Sequence, residues 1–179
     1  MNTLQLKQIL SSDSFIKKSF GGVYACDQLS TLTVDSYPKS IVVNTDPTNL
    51  PGTHWVAIYF TDEMKGEFFD SYGRRPDDYN RHFLNFMDRN SLEWESNEKE
   101  LQSAFSAVCG QYCIYYLFHR CRDIPMSSIV NKFSGDKLRN DQIVYDFVKS
   151  SYRKAHPSVK QEMSFVLSQI SRELYSNKK

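Results

Sequence analysis

The sequence predicts an α+β domain, and three observations lead there. The N-terminal half carries short β-branched and aromatic runs bounded by turn residues, with SIVVN at 40–44 and HWVAIYF at 54–60 the clearest. The C-terminal half carries apolar residues at helical spacing, interrupted by Pro125 and Pro157. Between them lies CGQYCIYYLFHRC, 109–121, apolar nearly all round, as a helix in the middle of a domain must be. Strands followed by helices are the pattern of an α+β chain.

The elements follow in order. TLQLKQIL has leucine or isoleucine at 4, 6, 9 and 10 and predicts a short amphipathic helix. Gly21-Gly22 predict a break. SIVVN predicts a short strand, and TDPTNLPG at 45–52 a loop of turn residues. HWVAIYF, the turn TDEMKG at 61–66 and EFFDSYG at 67–73 predict a β-hairpin. RRPDDYN at 74–80 reads as a loop and HFLNFMDRN at 82–90 as a helix. SLEWESNEKELQ at 91–102 is left open as a strand with a polar loop. After the central helix, PMSSIVNKF at 125–133 and DQIVYDFVKSSYRKA at 141–155 predict two helices. A last helix, 158–175, starts at Ser158 as its cap.

At 179 residues the chain predicts one domain, 1–157, with 158–179 as its helical extension. A net charge of +1 favours no charged partner by itself, although 149–160 and Lys178-Lys179 are locally basic. The four cysteines, Cys26, Cys109, Cys113 and Cys121, form no CxxC and no disulfide framework. No segment reads as a signal peptide or a membrane span, so an intracellular, reducing setting with free thiols is expected.

Cys109 sits at the start of the central helix, where unpaired backbone N–H groups and the helix dipole favour a thiolate, and Gly110 permits close approach of a substrate backbone. The alternative is a small buried apolar residue, which suits Cys113 and Cys121 better. His54 opens a strand beside a loop, well placed for a general base; alone it reads equally as a surface histidine. His82, His119 and His156 are weaker candidates. Asp70 closes the partner strand, and antiparallel pairing brings it to the same sheet edge as His54, within about one residue pair. There it orients and charges the imidazole; singly it reads as a turn aspartate in DSYG. Gln102 supplies a side-chain amide that, with the Cys109 N–H, makes two donors to an oxyanion. The joint order of the four residues carries the signal, not any one of them.

On those residues the chain resembles the adenovirus proteinases and their relatives among viruses and virus-like transposons, and more distantly the proteases of ubiquitin-like modifiers. IVVNT with PGTHWVAIYF is similar to the family's strand, loop and histidine strand, FFDSYG to its acid strand, and QSAFSAVCGQYC to its glutamine and nucleophile helix. The seven-residue spacing from Gln102 to Cys109 also matches, as does NDQIVYDFV to a late helix, so the likeness covers about 4–157. The resemblance implies a papain-like fold with a small central mixed sheet flanked by helices. It implies a thiol endopeptidase with Cys109 as nucleophile, His54 as base, Asp70 as orienting acid and Gln102 as oxyanion donor. Trp55, Gly52, Asn44 and Gly110 would line the substrate cleft. It further implies a monomer that cuts at Gly-containing sites in virion precursor proteins, in the host nucleus or cytoplasm or packaged in the virion. No metal or other cofactor is required, although viral DNA or an activating peptide acts in the family.

Two features depart from that pattern. Asp70 stands where the viral family has a glutamate, and 91–100 lacks the cysteine that tethers a peptide. Three other readings stay open: a protease of ubiquitin-like modifiers, a nucleic-acid-binding module using Arg153, Lys154 and Lys160, and a zinc site at Cys113, His119 and Cys121, whose spacing fits no common zinc pattern.

Overall fold

The computed structural model describes residues 1–155, so the predicted helix 158–175 and the boundary at 157 lie outside the described residues, as do His156 and Lys160. Five strands form one sheet in the order β1 (Phe20–Ala25), β2 (Lys39–Asn44), β3 (Trp55–Phe60), β4 (Lys65–Phe69) and β5 (Glu93–Ser96). The sheet is mixed: β1 runs parallel to β2, β2 and β4 run antiparallel to β3, and β5 runs parallel to β4. The helices are α1 (Thr3–Ser12), α2 (Arg81–Asn90), α3 (Cys109–Arg120), α4 (Met126–Val130) and α5 (Lys137–Ala155).

The period of two along β3 splits the core. Trp55, Ala57 and Tyr59 face α1, α3 and α5, while Val56, Ile58 and Phe60 join Phe83, Phe86 and Met87 of α2 on the other side. All six β3 residues are buried, so the strand reads as a continuous apolar run, as one covered on both faces must. α3 lies against β3 within the first of these layers, which explains why it is apolar all round. Near its far end Arg120 Nε reaches both oxygens of buried Glu67 on β4, at 2.9 and 2.8 Å, and the Tyr116 hydroxyl donates to the same carboxylate. This pairing lets a charged residue sit inside a strand that otherwise buries phenylalanines.

Three expectations need correction. Gly21-Gly22 do not break the chain but belong to β1. The β1–β2 register shifts between Phe20 and Gly22, and Gly22 has φ +137°, where a Cβ would also meet the Tyr24 ring. The glycines thus serve a bulge within a strand. β4 ends at Phe69, short of the expected 73, because the chain turns at Asp70. Gly73 at φ +70° donates its N–H to the Asp70 carbonyl at 2.9 Å, and the Asp70 carboxylate captures the N–H groups of Tyr72 and Arg74. The helix expected over 125–133 is regular only over Met126–Val130, while α5 begins four residues early, at Lys137 rather than at 141.

Candidate active site

The hairpin brings His54 and Asp70 to one end of the sheet, though not as directly opposed residues. The ladder pairs Ala57 with Phe69, which sets position 70 across from Val56 and His54 one diagonal step away on the same face. The turn after Phe69 then aims the carboxylate, and His54 Nε2 meets Asp70 Oδ1 at 2.6 Å. Asp70 is fully buried yet saturated with donors: Oδ1 also accepts the Tyr72 N–H at 3.0 Å, and Oδ2 accepts the Arg74 N–H at 3.2 Å and the Tyr79 hydroxyl at 2.6 Å. Burial alone would raise its pKa, but the hydrogen bond and charge of His54 and the Tyr79 hydroxyl outweigh that and hold the carboxyl below its ordinary value.

With Nε2 committed to Asp70, Nδ1 is the ring nitrogen left for Cys109, whose sulfur lies near enough to act on the charge of the imidazole. Burial works against charging the ring, yet Asp70 and then Cys109 overcome it and push the His54 pKa up to about 9. The imidazolium is therefore the favoured form at neutral pH, as a thiolate partner requires. Cys109 is the first residue of α3 and is 8% exposed. Asn2 and Asn80 cap α1 and α2 with their side chains, whereas Val108 offers α3 no side-chain cap and its first turn holds no acid. The N–H groups at this helix end are free to favour an anion. Burial pushes the thiols of Cys26, Cys113 and Cys121 up.

Gln102 is fully buried and fixed. Its Oε1 accepts the Ser71 hydroxyl at 2.7 Å, its Nε2 donates to the Ser106 carbonyl at 2.8 Å, and its backbone N–H donates to the Ser71 carbonyl at 3.0 Å. That leaves one amide proton of Nε2 uncommitted. From the other side, Asn140 Nδ2 donates to the Leu101 carbonyl at 3.1 Å, and the Asp141 carboxylate accepts the Ser103 N–H and the Tyr112 hydroxyl.

The remaining candidates have these places. Trp55 donates its indole N–H to the Met1 carbonyl at 3.0 Å. Asn44 pairs with Trp55 in the sheet and its Oδ1 accepts the Asp46 N–H at 2.9 Å. Gly52, at φ +86°, lies so close to Asn44 that a Cβ would stand 2.7 Å from Nδ2. These three line a groove of about 290 Å³ together with Met1 and Leu50. Gly110 is buried against Met1 and Leu6, and a Cβ there would sit 3.2 Å from Met1. The absence of a side chain at 110 leaves room for Met1. His119 turns Nδ1 to the Tyr115 carbonyl and Cys121 lies beside Ser19, so no zinc cluster forms from them. Among the described residues no group of three or more His, Cys, Asp or Glu is placed to hold a metal, and no helix is long and apolar enough to cross a membrane.

Sequence reasoning missed Asn97, Tyr72 and Tyr79. Asn97 Oδ1 accepts the Asp70 N–H at 2.8 Å while its Nδ2 donates to the Asp70 carbonyl at 2.7 Å, so one amide clamps both sides of the acid's backbone. Tyr72 lies on the His54 ring at 4.7 Å between centroids. Nothing local marks Asn97, which falls in the polar stretch left open.

Comparison with known proteins identifies a family and a fold. Residues 20–169 match the family model described as adenovirus endoprotease. The protease of bovine adenovirus 4 is 27% identical over 180 residues, covering 83% of this chain and 87% of its own length. The protease of snake adenovirus serotype 1 is 24% identical over 172 residues, covering 82% and 85%. Among solved structures, the ASFV pS273R protease superposes with a TM-score of 0.57 at 14% identity, covering 80% of this chain and 66% of that chain, which shows a common fold.

Proposed function

The chain belongs to the adenovirus endoprotease family and is a cysteine protease, and from that premise we propose that Cys109, His54, Asp70 and Gln102 carry its reaction. The Cys109 sulfur attacks the scissile carbonyl carbon. The oxyanion is held by the Cys109 N–H and the uncommitted Nε2 proton of Gln102. His54 Nδ1–H then protonates the leaving nitrogen as the C–N bond breaks. A water, deprotonated by the same nitrogen, attacks the thioester, and the acid product leaves as Cys109 regains its sulfur charge. Asp70 keeps the ring in the tautomer that presents Nδ1 to the sulfur. The observation that supports this reading most is the buried His54–Asp70 pair, joined at 2.6 Å, with Cys109 at the start of α3 as the nearby thiol.

The substrates are protein precursors of the virion, cut at Gly-containing sites, and the protein acts within the infected cell or the particle. The groove lined by Asn44, Gly52 and Trp55 is where this reading places the acyl-side backbone of the substrate. Any peptide activator is noncovalent in this reading, since 91–100 holds no cysteine to tether it. The test is cleavage of a proteome-derived peptide library by wild type and Cys109→Ala, with and without added DNA. Wild-type-only products ending in or flanked by glycine are expected. Cleavage confined to reporters conjugated to ubiquitin-like modifiers would replace the virion reading with that of a modifier protease. Within the reaction, Gln102→Ala is expected to lower kcat by about 10²–10³-fold with little change in KM, as steady-state kinetics will show.

A further inference from the structure

The turn between Gln102 and Cys109 ends in a bare aromatic ring. Phe105 is 85% exposed, more than any other large apolar side chain among the described residues. The turn that carries it is ordered: Phe105 N–H donates to Ser103 Oγ at 3.3 Å, and Ser106 N–H donates to the Ser103 carbonyl at 3.2 Å. A ring this exposed, on the turn between Gln102 and Cys109, is available to a side chain of a bound substrate. Next to it, Ala104 lines an open groove of about 470 Å³ with Tyr72, Arg74 and Glu100.

Tyr72 joins this groove to the His54 imidazole. In the proposed reaction His54 delivers its proton to the scissile nitrogen, so the chain beyond that nitrogen departs past the imidazole and the ring beside it, Tyr72, tilted 31° to it at 4.7 Å. The acyl half has its own groove at Trp55, Gly52 and Asn44, which shares no lining residue with this one. The charges in the groove are unequal. Glu100 is paired with Lys137 at 2.5 Å, and neighbouring Arg75 takes Asp77 and Glu98. Arg74 stands over the Tyr72 and Tyr79 rings, 5.7 and 5.9 Å from their centroids, with no carboxylate ion pair among the described residues.

Resting on the reading of Cys109 and His54 above, we propose that this groove is the subsite for the substrate segment after the scissile bond. It takes a large apolar or aromatic side chain against Phe105 and a carboxylate at Arg74. The occupant is thus a protein segment with an acidic residue shortly after the cut. The stacked guanidinium is already in place, so little ordering cost falls on binding.

The test uses quenched peptides of one acyl half that differ only after the cut, carrying Phe or Ala and Asp or Lys at successive positions. Wild type is expected to favour Asp over Lys by about fivefold in kcat/KM, as an exposed ion pair allows. Arg74→Glu is expected to invert that ratio, and Phe105→Ala to erase an about three- to tenfold preference for Phe over Ala. Each ratio is taken within one variant, so a general loss of activity cancels. Equal cleavage of all four peptides by wild type, or an Arg74→Glu ratio like that of wild type, overturns the subsite. If wild type cuts none of them and retains no Cys109-dependent cleavage of the peptide library, it is the proposed reaction that fails.

Discussion

Cys109→Ala is expected to lower kcat/KM by about 10⁴-fold or more, and His54→Ala by a similar factor. The double variant should be no slower than Cys109→Ala alone. Sulfur and imidazole act as one unit here: removing either leaves nothing for the other to activate, so their losses do not add. Both residues are buried at the sheet's end, and a gross folding defect would mimic the result. A near-UV spectrum and melting temperature of each variant separate the two outcomes. Cys109→Ala removes only a sulfur from a helix start, so the fold should persist. An iodoacetamide titration supplies an independent readout. Cys109 should react before Cys26, Cys113 and Cys121, whose thiols burial holds protonated. Preferential modification of any of those three, with activity lost in step, would remove Cys109 from the role.

The site was legible in the sequence to the extent that it depends on the hairpin and on a helix start. HWVAIYF and EFFDSYG declare two strands by composition, and their pairing alone puts an imidazole and a carboxylate at one edge. What composition does not declare is how the carboxylate is aimed. Extending the observed register leaves Asp70 one diagonal step from His54, and the closing move is made by N–H groups of Tyr72 and Arg74 that turn the chain. β5 could only be left open because EWES alternates between exposed and half-buried positions and buries no apolar run. β1 stayed unread because its glycines serve a bulge, a need visible only once Tyr24 and β2 are in place. Asn97 belongs to the same class, since its two hydrogen bonds join residues 27 apart in the chain. Long-range clamps of this kind leave no periodic trace.

Asp70→Asn should be the most informative charge change, because it keeps the shape and removes the charge. In wild type the His54 pKa is held near 9, so the proton donor for the leaving nitrogen is lost only above that pH, and the alkaline limb of kcat/KM should fall there. Without the carboxylate only the Cys109 sulfur opposes burial, so the limb should move down from that value toward the ordinary imidazole value of about 6.5. The amide cannot satisfy all four donors. Turned with its NH₂ toward His54, it opposes the Tyr72 N–H and forces the ring to present an acceptor at Nε2, so Nδ1 is already protonated and cannot act as base. Turned the other way, it keeps His54 but opposes the Arg74 N–H, while the Tyr79 hydroxyl can rotate to accept. Either rotamer orphans a backbone donor, so a stability loss of about 1–3 kcal/mol is expected. The turnover loss should lie between about 10² and 10⁴-fold, larger if the first rotamer prevails. Stability should follow the same charges in opposite directions. The His54 contribution is complete below its unfolded pKa of about 6.5 and is lost as pH rises through 9. The Asp70 contribution is complete above an unfolded value near 3.9 and is lost as pH falls through its lower folded value. Melting curves of wild type between pH 6 and 10 should therefore decline more than those of Asp70→Asn, about in the window where the pair dissociates. An alkaline limb that stays near 9 in Asp70→Asn would mean that something other than this carboxylate charges the imidazole.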